Sequence, residues 1–334
     1  MTFASTRMLT LSMGCFESAG RQCYSLVAAV PSFLPHRTTL AAREHRTPPP
    51  PLPEPKYRIE YVDVRSTASS DETLATLVLV HGAPGNYRDF RYLIPRLAQH
   101  PGLRIIGINL PGYGGSTVEK AHYLETVSAL RTAEVALDGV RKLCGAKDDI
   151  FLVGHSFGAN TIVNVAALDL TTNDKALAIR GLALVAPAGC SPHKSLSLGV
   201  ISLTVKMLLS GNACAVSAAT HFTKFVYTKL LRLPSGSPAD PFVSAVIRAS
   251  TTDFVLIRDQ ATLLGSRQKR TLIAWAQDDE HIQREIPEEL AGLCGDGPRL
   301  EFTGGGHNLQ KTRADEISAS MMTWITDVLA TDKA

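Results

Sequence analysis

Hydrophobic and polar positions along the chain follow two periods. Residues 57–65 alternate apolar and polar side chains, as a half-exposed strand does. Residues 74–80 form an unbroken apolar run rich in β-branched positions, as expected of a strand buried on both faces. Runs at 103–110, 149–153, 180–186, 271–277 and 299–303 predict further strands. Helical spacing occupies 86–99, where Asn86 can cap and Asp89 suits the positive end of the helix dipole. It recurs over 123–143 (Leu124, Val127, Leu130, Val135, Leu137, Val140), 159–168 and 314–329. Strands and helices alternating through short connections predict an α/β fold, a doubly wound, mostly parallel sheet with helices on both faces.

One connection is long. Residues 188–270 separate two consecutive core strands, and within them 195–219 are nearly all apolar, with Lys206 the only charge and Gly211-Asn212 a break. A second helical stretch covers 242–264. A membrane span here would leave the two halves of one sheet on opposite sides of a bilayer. The pattern instead predicts a helical lid over a cleft, able to touch a lipid surface as a peripheral contact.

The strand at 149–153 runs into Gly154-His155-Ser156-Phe157-Gly158 and then directly into a helix. Glycines two before and two after a serine allow strand and helix backbones to close around it, leaving the hydroxyl strained and exposed above the sheet. A serine hydroxyl needs a base to take its proton and an acid to orient that base. In an open α/β sheet both belong at the carboxyl ends of later strands. Gln277-Asp278-Asp279-Glu280 follows one such strand and Gly304-Gly305-Gly306-His307 the next, giving the order Ser…Asp…His. Position alone leaves Asp278 and Asp279 as rivals, with Glu280 third; the strand ending near 186 offers no acid. His81 and His155 read as structural neighbours of backbone turns, and His281 as a candidate pocket-lining residue. Neither H-E-x-x-H nor H-x-x-E-H spacing occurs, and Gly304-Gly305-Gly306 lacks the lysine and helix of a phosphate loop, so no metal and no cofactor are expected.

Composition adds an address. Hydrophobic residues at 45% and charged residues at 19% describe a globular chain, and a net charge of +3 is not a nucleic-acid signature. Residues 1–46 hold five of the 34 basic residues and two of the 31 acids, which leaves 29 of each in 47–334. That Ser-, Thr- and Arg-rich, acid-poor tail reads as a mitochondrial transit peptide or a disordered extension, and 47–56 as a stiff proline-rich linker. Without the tail's address the expectation is cytoplasmic. Scattered cysteines and the lack of any N-x-S/T sequon favour a reducing, intracellular compartment.

The chain resembles the α/β-hydrolase fold superfamily over 57–330, through Val80-His81-Gly82-Ala83-Pro84-Gly85, Asn109-Leu110-Pro111-Gly112-Tyr113-Gly114, the serine elbow, Trp275-Ala276-Gln277-Asp278-Asp279 and Gly306-His307. The segments Asn86…Asp89-Phe90…Tyr92 and Pro187-Ala188-Gly189…His193-Lys194 are similar to an uncharacterised eukaryotic branch of it. The resemblance implies a core of 57–187 and 271–330 with the lid of 188–270 inserted. It implies Ser156 as nucleophile, His307 as general base and acid, and Asp279 as its orienting carboxylate. The backbone amides of Ala83 and Phe157 would form the oxyanion hole. The activity so implied is hydrolysis of a carboxylic ester, thioester or lactone of a small hydrophobic substrate through an acyl-enzyme. Acyl transfer and carbon–carbon bond hydrolysis share the triad. A non-catalytic receptor or scaffold of this fold usually has a broken triad, and a serine nucleophile argues against the epoxide hydrolases and haloalkane dehalogenases that use aspartate there.

Overall fold

The computed structural model describes residues 11–17, 57–66, 73–171, 177–196, 198–230 and 236–331. Nine strands form one sheet: β1 (Leu11–Glu17), β2 (Tyr57–Arg65), β3 (Ala75–Val80), β4 (Leu103–Ile108), β5 (Thr117–Val118), β6 (Ile150–His155), β7 (Ile179–Val185), β8 (Arg270–Ala276) and β9 (Arg299–Phe302). Their order is β1-β2-β4-β3-β6-β7-β8-β9, with β5 beside β2. Pairing from β4 to β9 is parallel, and β2 is antiparallel to both its neighbours β1 and β4.

Alternation along each strand feeds two cores. Leu77 and Leu79 of β3 and Phe151 and Val153 of β6 face one side, with Leu93 and Leu97 of α1 (Leu93–Leu97) and Ile317, Met321 and Trp324 of the last helix. Val78, Val80, Ile150 and Leu152 face the other, with helices at Ala129–Leu143 and Phe157–Thr171. Burial on both faces is why these strands read as continuous apolar runs.

The helices depart from the expected spans where packing overrides local pattern. Stretch 86–99 splits into a 3₁₀ turn, Tyr87–Phe90, closed by a capping box between Asn86 and Asp89, and then α1. Stretch 123–143 splits into α2 (Tyr123–Thr126) and α3 (Ala129–Leu143). At the break Val127 is buried against Leu208, Val243 and Ile247 of the inserted segment, and Ala129 N–H donates to Thr251 Oγ1 at 2.9 Å. After α4 (Phe157–Thr171) and β7 come α5 (Leu198–Leu208), α6 (Ala213–Phe225) capped by Asn212, a π turn at Val226–Leu230, α7 (Asp240–Ser250) and α8 (Phe254–Ser266).

Stretch 242–264 is therefore two helices, broken where Asp253 accepts Leu256 N–H. Ile257, Ala261 and Leu264 of α8 join the sheet core, while Leu208, Ala219, Val243 and Ile247 of α5 to α7 form a smaller cluster of their own with Val127. Helices α9 (Glu285–Leu293), α10 (Leu309–Thr312) and α11 (Ala314–Thr331) complete the chain. Within 1–46 the seven residues of β1 pair with β2, from Leu11 opposite Val64 to Glu17 opposite Arg58. A free β2 edge would leave backbone groups unpaired, and β1 covers them. The remainder of 1–46, and 47–56, lie outside the described residues. Among the described residues no helix is long and apolar enough to cross a membrane.

Candidate active site

Strand β6 delivers Ser156 at the centre of the sheet's carboxyl edge. Its backbone is in the left-handed region at φ 54, a conformation that costs a non-glycine residue about 1–3 kcal/mol and persists only where its surroundings enforce it. The enforcement is visible at the flanking glycines. A Cβ on Gly154 would stand 2.5 Å from Gly158 O, and one on Gly158 would stand 2.1 Å from Val80 O. Helix α4 therefore starts hard against β6 and β3, and Ser156 is the residue bent between them.

The Ser156 hydroxyl lies 2.9 Å from His307 Nε2, and His307 Nδ1 lies 2.8 Å from Asp279 Oδ2. The other carboxylate oxygen of Asp279 accepts the backbone N–H groups of His281 (2.8 Å) and Ile282 (2.9 Å). Burial pushes the Asp279 carboxyl up, but the bond and charge of His307, with these two amides, outweigh it and hold the group below its ordinary value. An ionised Asp279 places the neutral imidazole's proton on Nδ1, so Nε2 is the acceptor facing the serine.

The three consecutive acids do different jobs. Asp278 accepts the N–H groups of Gly305 (3.2 Å) and Gly306 (2.8 Å), whose bonds lower its carboxyl. Glu280 accepts His307 N–H at 3.2 Å. Both shape the loop that carries His307; Asp279 touches its ring.

His155 and His81 are backbone ties. His155 Nε2–H donates to His307 O at 3.0 Å, and burial, then the neighbouring His307, lower its pKa to about 3. His81 Nδ1–H donates to Gly82 O at 2.7 Å while Nε2 accepts Leu110 N–H at 3.0 Å, joining the loops after β3 and β4. Burial, then the charge of Arg248, lower it to about 3 as well. His281 stands edge-on to His307 with ring centroids 5.1 Å apart, and its Nδ1 meets Ser195 Oγ at 3.1 Å. Its pKa is lowered by burial and then by His307.

Ala83 and Phe157 come together beside Ser156. Gly82 presses on the elbow so closely that a Cβ there would stand 3.0 Å from Ser156 Cβ. Ala83 and, from the inserted helices, Ile201 both pack against a buried cluster of Phe157, Ala188 and Ala249. Phe157 begins α4, so its N–H is one of the helix's free donors.

Two residues that sequence reading missed complete the surroundings. Arg248 of α7 is 1% exposed, donates from Nη2 to Phe157 O at 2.7 Å and also to Thr161 Oγ1, and lies beside the buried Tyr113 hydroxyl. Its signal was a lone charge in the otherwise uncharged stretch Phe242–Ala249. His193, on the loop after β7, lies edge-on to Phe157 at 5.7 Å, with its pKa lowered to about 4 by burial and by His307 and His281. Among the described residues no cluster of His, Cys, Asp or Glu has the makings of a metal site.

The doubly wound sheet is of the α/β-hydrolase class. A model described as the alpha/beta hydrolase family matches residues 77–319, and the chain belongs to that family. It is 26% identical over 248 residues to the protein F35H12.5 of Caenorhabditis elegans, a match spanning 70% of this chain and 63% of that one. Among solved structures it is similar to the esterase EaEST from Exiguobacterium antarcticum (TM-score 0.58, 16% identity, 81% of this chain and 96% of that one). It is equally similar to a variant of the haloalkane dehalogenase DatA from Agrobacterium tumefaciens (TM-score 0.59, 18% identity, 81% and 93%). At such identities the likeness shows the fold alone.

Proposed function

We propose that the chain is a serine hydrolase that cleaves a carboxylic ester of an apolar acyl substrate. The observation that carries this reading is the unbroken line from Ser156 Oγ through His307 to Asp279, with links of 2.9 and 2.8 Å, at a strained elbow. His307 Nε2 takes the hydroxyl proton as Ser156 attacks the carbonyl carbon. The amides of Phe157 and Ala83 donate to the oxygen that becomes negative, and Asp279 holds the imidazolium. His307 then protonates the leaving alcohol, and water, activated by the same imidazole, releases the acid. Thioesters and lactones fit the same steps, and an acyl transferase differs only in replacing water by another acceptor. Ile201 and Ala249, packed with Phe157, support a hydrophobic acyl chain, with α5 to α7 as its lid. The arginine-rich, acid-poor composition of 1–46 supports delivery to mitochondria.

A fluorophosphonate probe tests the reading. Purified wild-type protein should label at Ser156, Ser156→Ala should not, and esters of increasing acyl length should be cleaved with different kcat/KM. A folded wild-type protein that does not label would make the chain a non-catalytic member of its family. Labelling that survives Ser156→Ala would assign another nucleophile.

A further inference from the structure

The outer face of the inserted helices is unlike the rest of the surface. Nine large hydrophobic side chains are well exposed among the described residues, and five of them fall between 200 and 225: Val200 (48%), Leu203 (62%), Leu209 (57%), Phe222 (46%) and Phe225 (53%). Helices α5 and α6 pack on each other and both on α7, whose residues Phe242–Ala249 are buried. Val200 and Leu203 on α5, and Phe222 and Phe225 on α6, each lie three residues apart, one turn along their helix. They sit on the sides that α7 does not cover.

Charge is as unevenly placed. Residues 194–239 contain Lys194, Lys206, Lys224, Lys229 and Arg232 and no acid, inside a portion of the chain, 47–334, where basic and acidic residues are equal in number. Lys206 lies on α5 beside the apolar positions, Lys229 follows α6, and both are exposed. Large apolar side chains with lysines at their margin, on helices too short to span a bilayer, match the chemistry of a headgroup layer with negative charge.

We propose that the outer face of α5 and α6 docks on an anionic phospholipid surface, with the phenylalanines and leucines entering the acyl boundary and Lys206 and Lys229 meeting the headgroups. The same helix α5 turns Ile201 inward against the cluster of Phe157, Ala188 and Ala249. If the hydrolase reading holds, docking places the nucleophile one helix away from the lipid, so an apolar ester reaches Ser156 without crossing water. The docking itself does not depend on that reading.

The test uses the full chain carrying Ser156→Ala, so that binding is measured without turnover. It is sedimented with vesicles of phosphatidylcholine alone and of phosphatidylcholine mixed with phosphatidylglycerol. Affinity for the mixed vesicles should exceed that for the neutral ones at least about tenfold and fall as salt is raised. Lys206→Gln with Lys229→Gln should weaken it about 25-fold, at about fivefold per charge. Leu203→Ser with Phe222→Ser should weaken binding to the mixed vesicles as well. All four positions are exposed, and circular dichroism checks that the variants fold. Equal partition onto both vesicle types, or mixed-vesicle binding unchanged in both variants, overturns the proposal. So does a wild-type dimer in the ultracentrifuge that Leu203→Ser with Phe222→Ser converts to monomers while no vesicles are bound, which would give the face to a second copy of the chain. Failure here leaves fluorophosphonate labelling of Ser156 untouched, so the two readings fall separately.

Discussion

Replacing Asp279 by asparagine should abolish reactivity through a tautomer rather than through a lost contact. The carboxylate is held from two sides: one oxygen accepts the amides of His281 and Ile282, the other accepts His307 Nδ1–H. An asparagine in the same rotamer offers one oxygen and one NH₂. Turning the NH₂ towards the two amides would set donors against donors and leave both without acceptors, at about 1–3 kcal/mol each. The oxygen therefore stays with the amides and the NH₂ faces His307 Nδ1. That nitrogen must then be bare, and the imidazole proton moves to Nε2, where it blocks transfer from Ser156. Restoring the useful tautomer costs about 2–6 kcal/mol, or roughly 30- to 3 × 10⁴-fold in acylation rate. Asp278→Asn alters only the bonds to Gly305 and Gly306 and should slow the reaction less than about tenfold. The measurement is the second-order rate of fluorophosphonate labelling, with Tm recorded to show that both variants fold. An Asp279→Asn rate within about tenfold of wild type, or an equal loss in Asp278→Asn, would refute the reasoning.

Acid should destabilise the fold early. His81 and His155 have folded pKa values of about 3 against an ordinary 6.5, so between those limits the unfolded chain binds protons that the native one refuses, and stability falls as pH falls. At pH 5 this amounts to about 2 kcal/mol for each histidine; equal urea midpoints at pH 7 and pH 5 would contradict it. Gly158→Ala drives a methyl group into Val80 O and should cost about 3 kcal/mol or more, read as a lowered urea midpoint or loss of soluble protein. Arg248→Met removes the tether from α7 to the elbow but also relieves a buried cation that no described carboxylate compensates. Unfolding free energy should change by less than about 2 kcal/mol while tryptic cleavage within the insert accelerates; a loss above about 4 kcal/mol would show that the guanidinium supports the whole fold.

The sheet was legible because strands buried on both faces leave uninterrupted apolar runs, and the expected strands begin and end within two residues of the observed ones. Ser156 and His307 were legible because glycines mark the backbone around them. The choice between Asp278 and Asp279 was not a matter of pattern. Adjacent residues of one loop point in different directions; the family resemblance favoured Asp279, and the folded loop brings its carboxylate to the ring. Helical periodicity over 123–143 and 242–264 hid two breaks, because Val127 and Asp253 fit a helix locally and are claimed by partners far along the chain, or by a cap. Helix α8 was assigned to the insertion by its place in sequence, yet its apolar face packs with α4 over the sheet. Strand β1 carries too little pattern to be read apart from the strand it pairs with.

The neighbours in fold include an esterase and a dehalogenase, so the architecture leaves the chemistry to the residues at the elbow and around it. Those surroundings hold four histidines besides His307, and the way they are kept neutral bears on the proposed mechanism. His81 and His155 at about 3 and His193 at about 4 carry no charge near neutral pH, and His281 is lowered as well. A second imidazolium at the 5.0 Å ring spacing of His155, or the 5.1 Å spacing of His281, would oppose the charge that His307 must take from Ser156. Burial removes that opposition, and among the described residues Asp279 is the carboxylate in contact with the ring. Two of the neutral histidines also act through their backbone bonds: His155 holds the His307 carbonyl, and His81 ties the loop before Ala83 to Leu110. Burying imidazoles thus both steadies the loops and leaves a single site for the proton. A basic residue placed at His155 would have to lose its charge or remove it from His307, and reactivity at Ser156 should fall even where the fold survives.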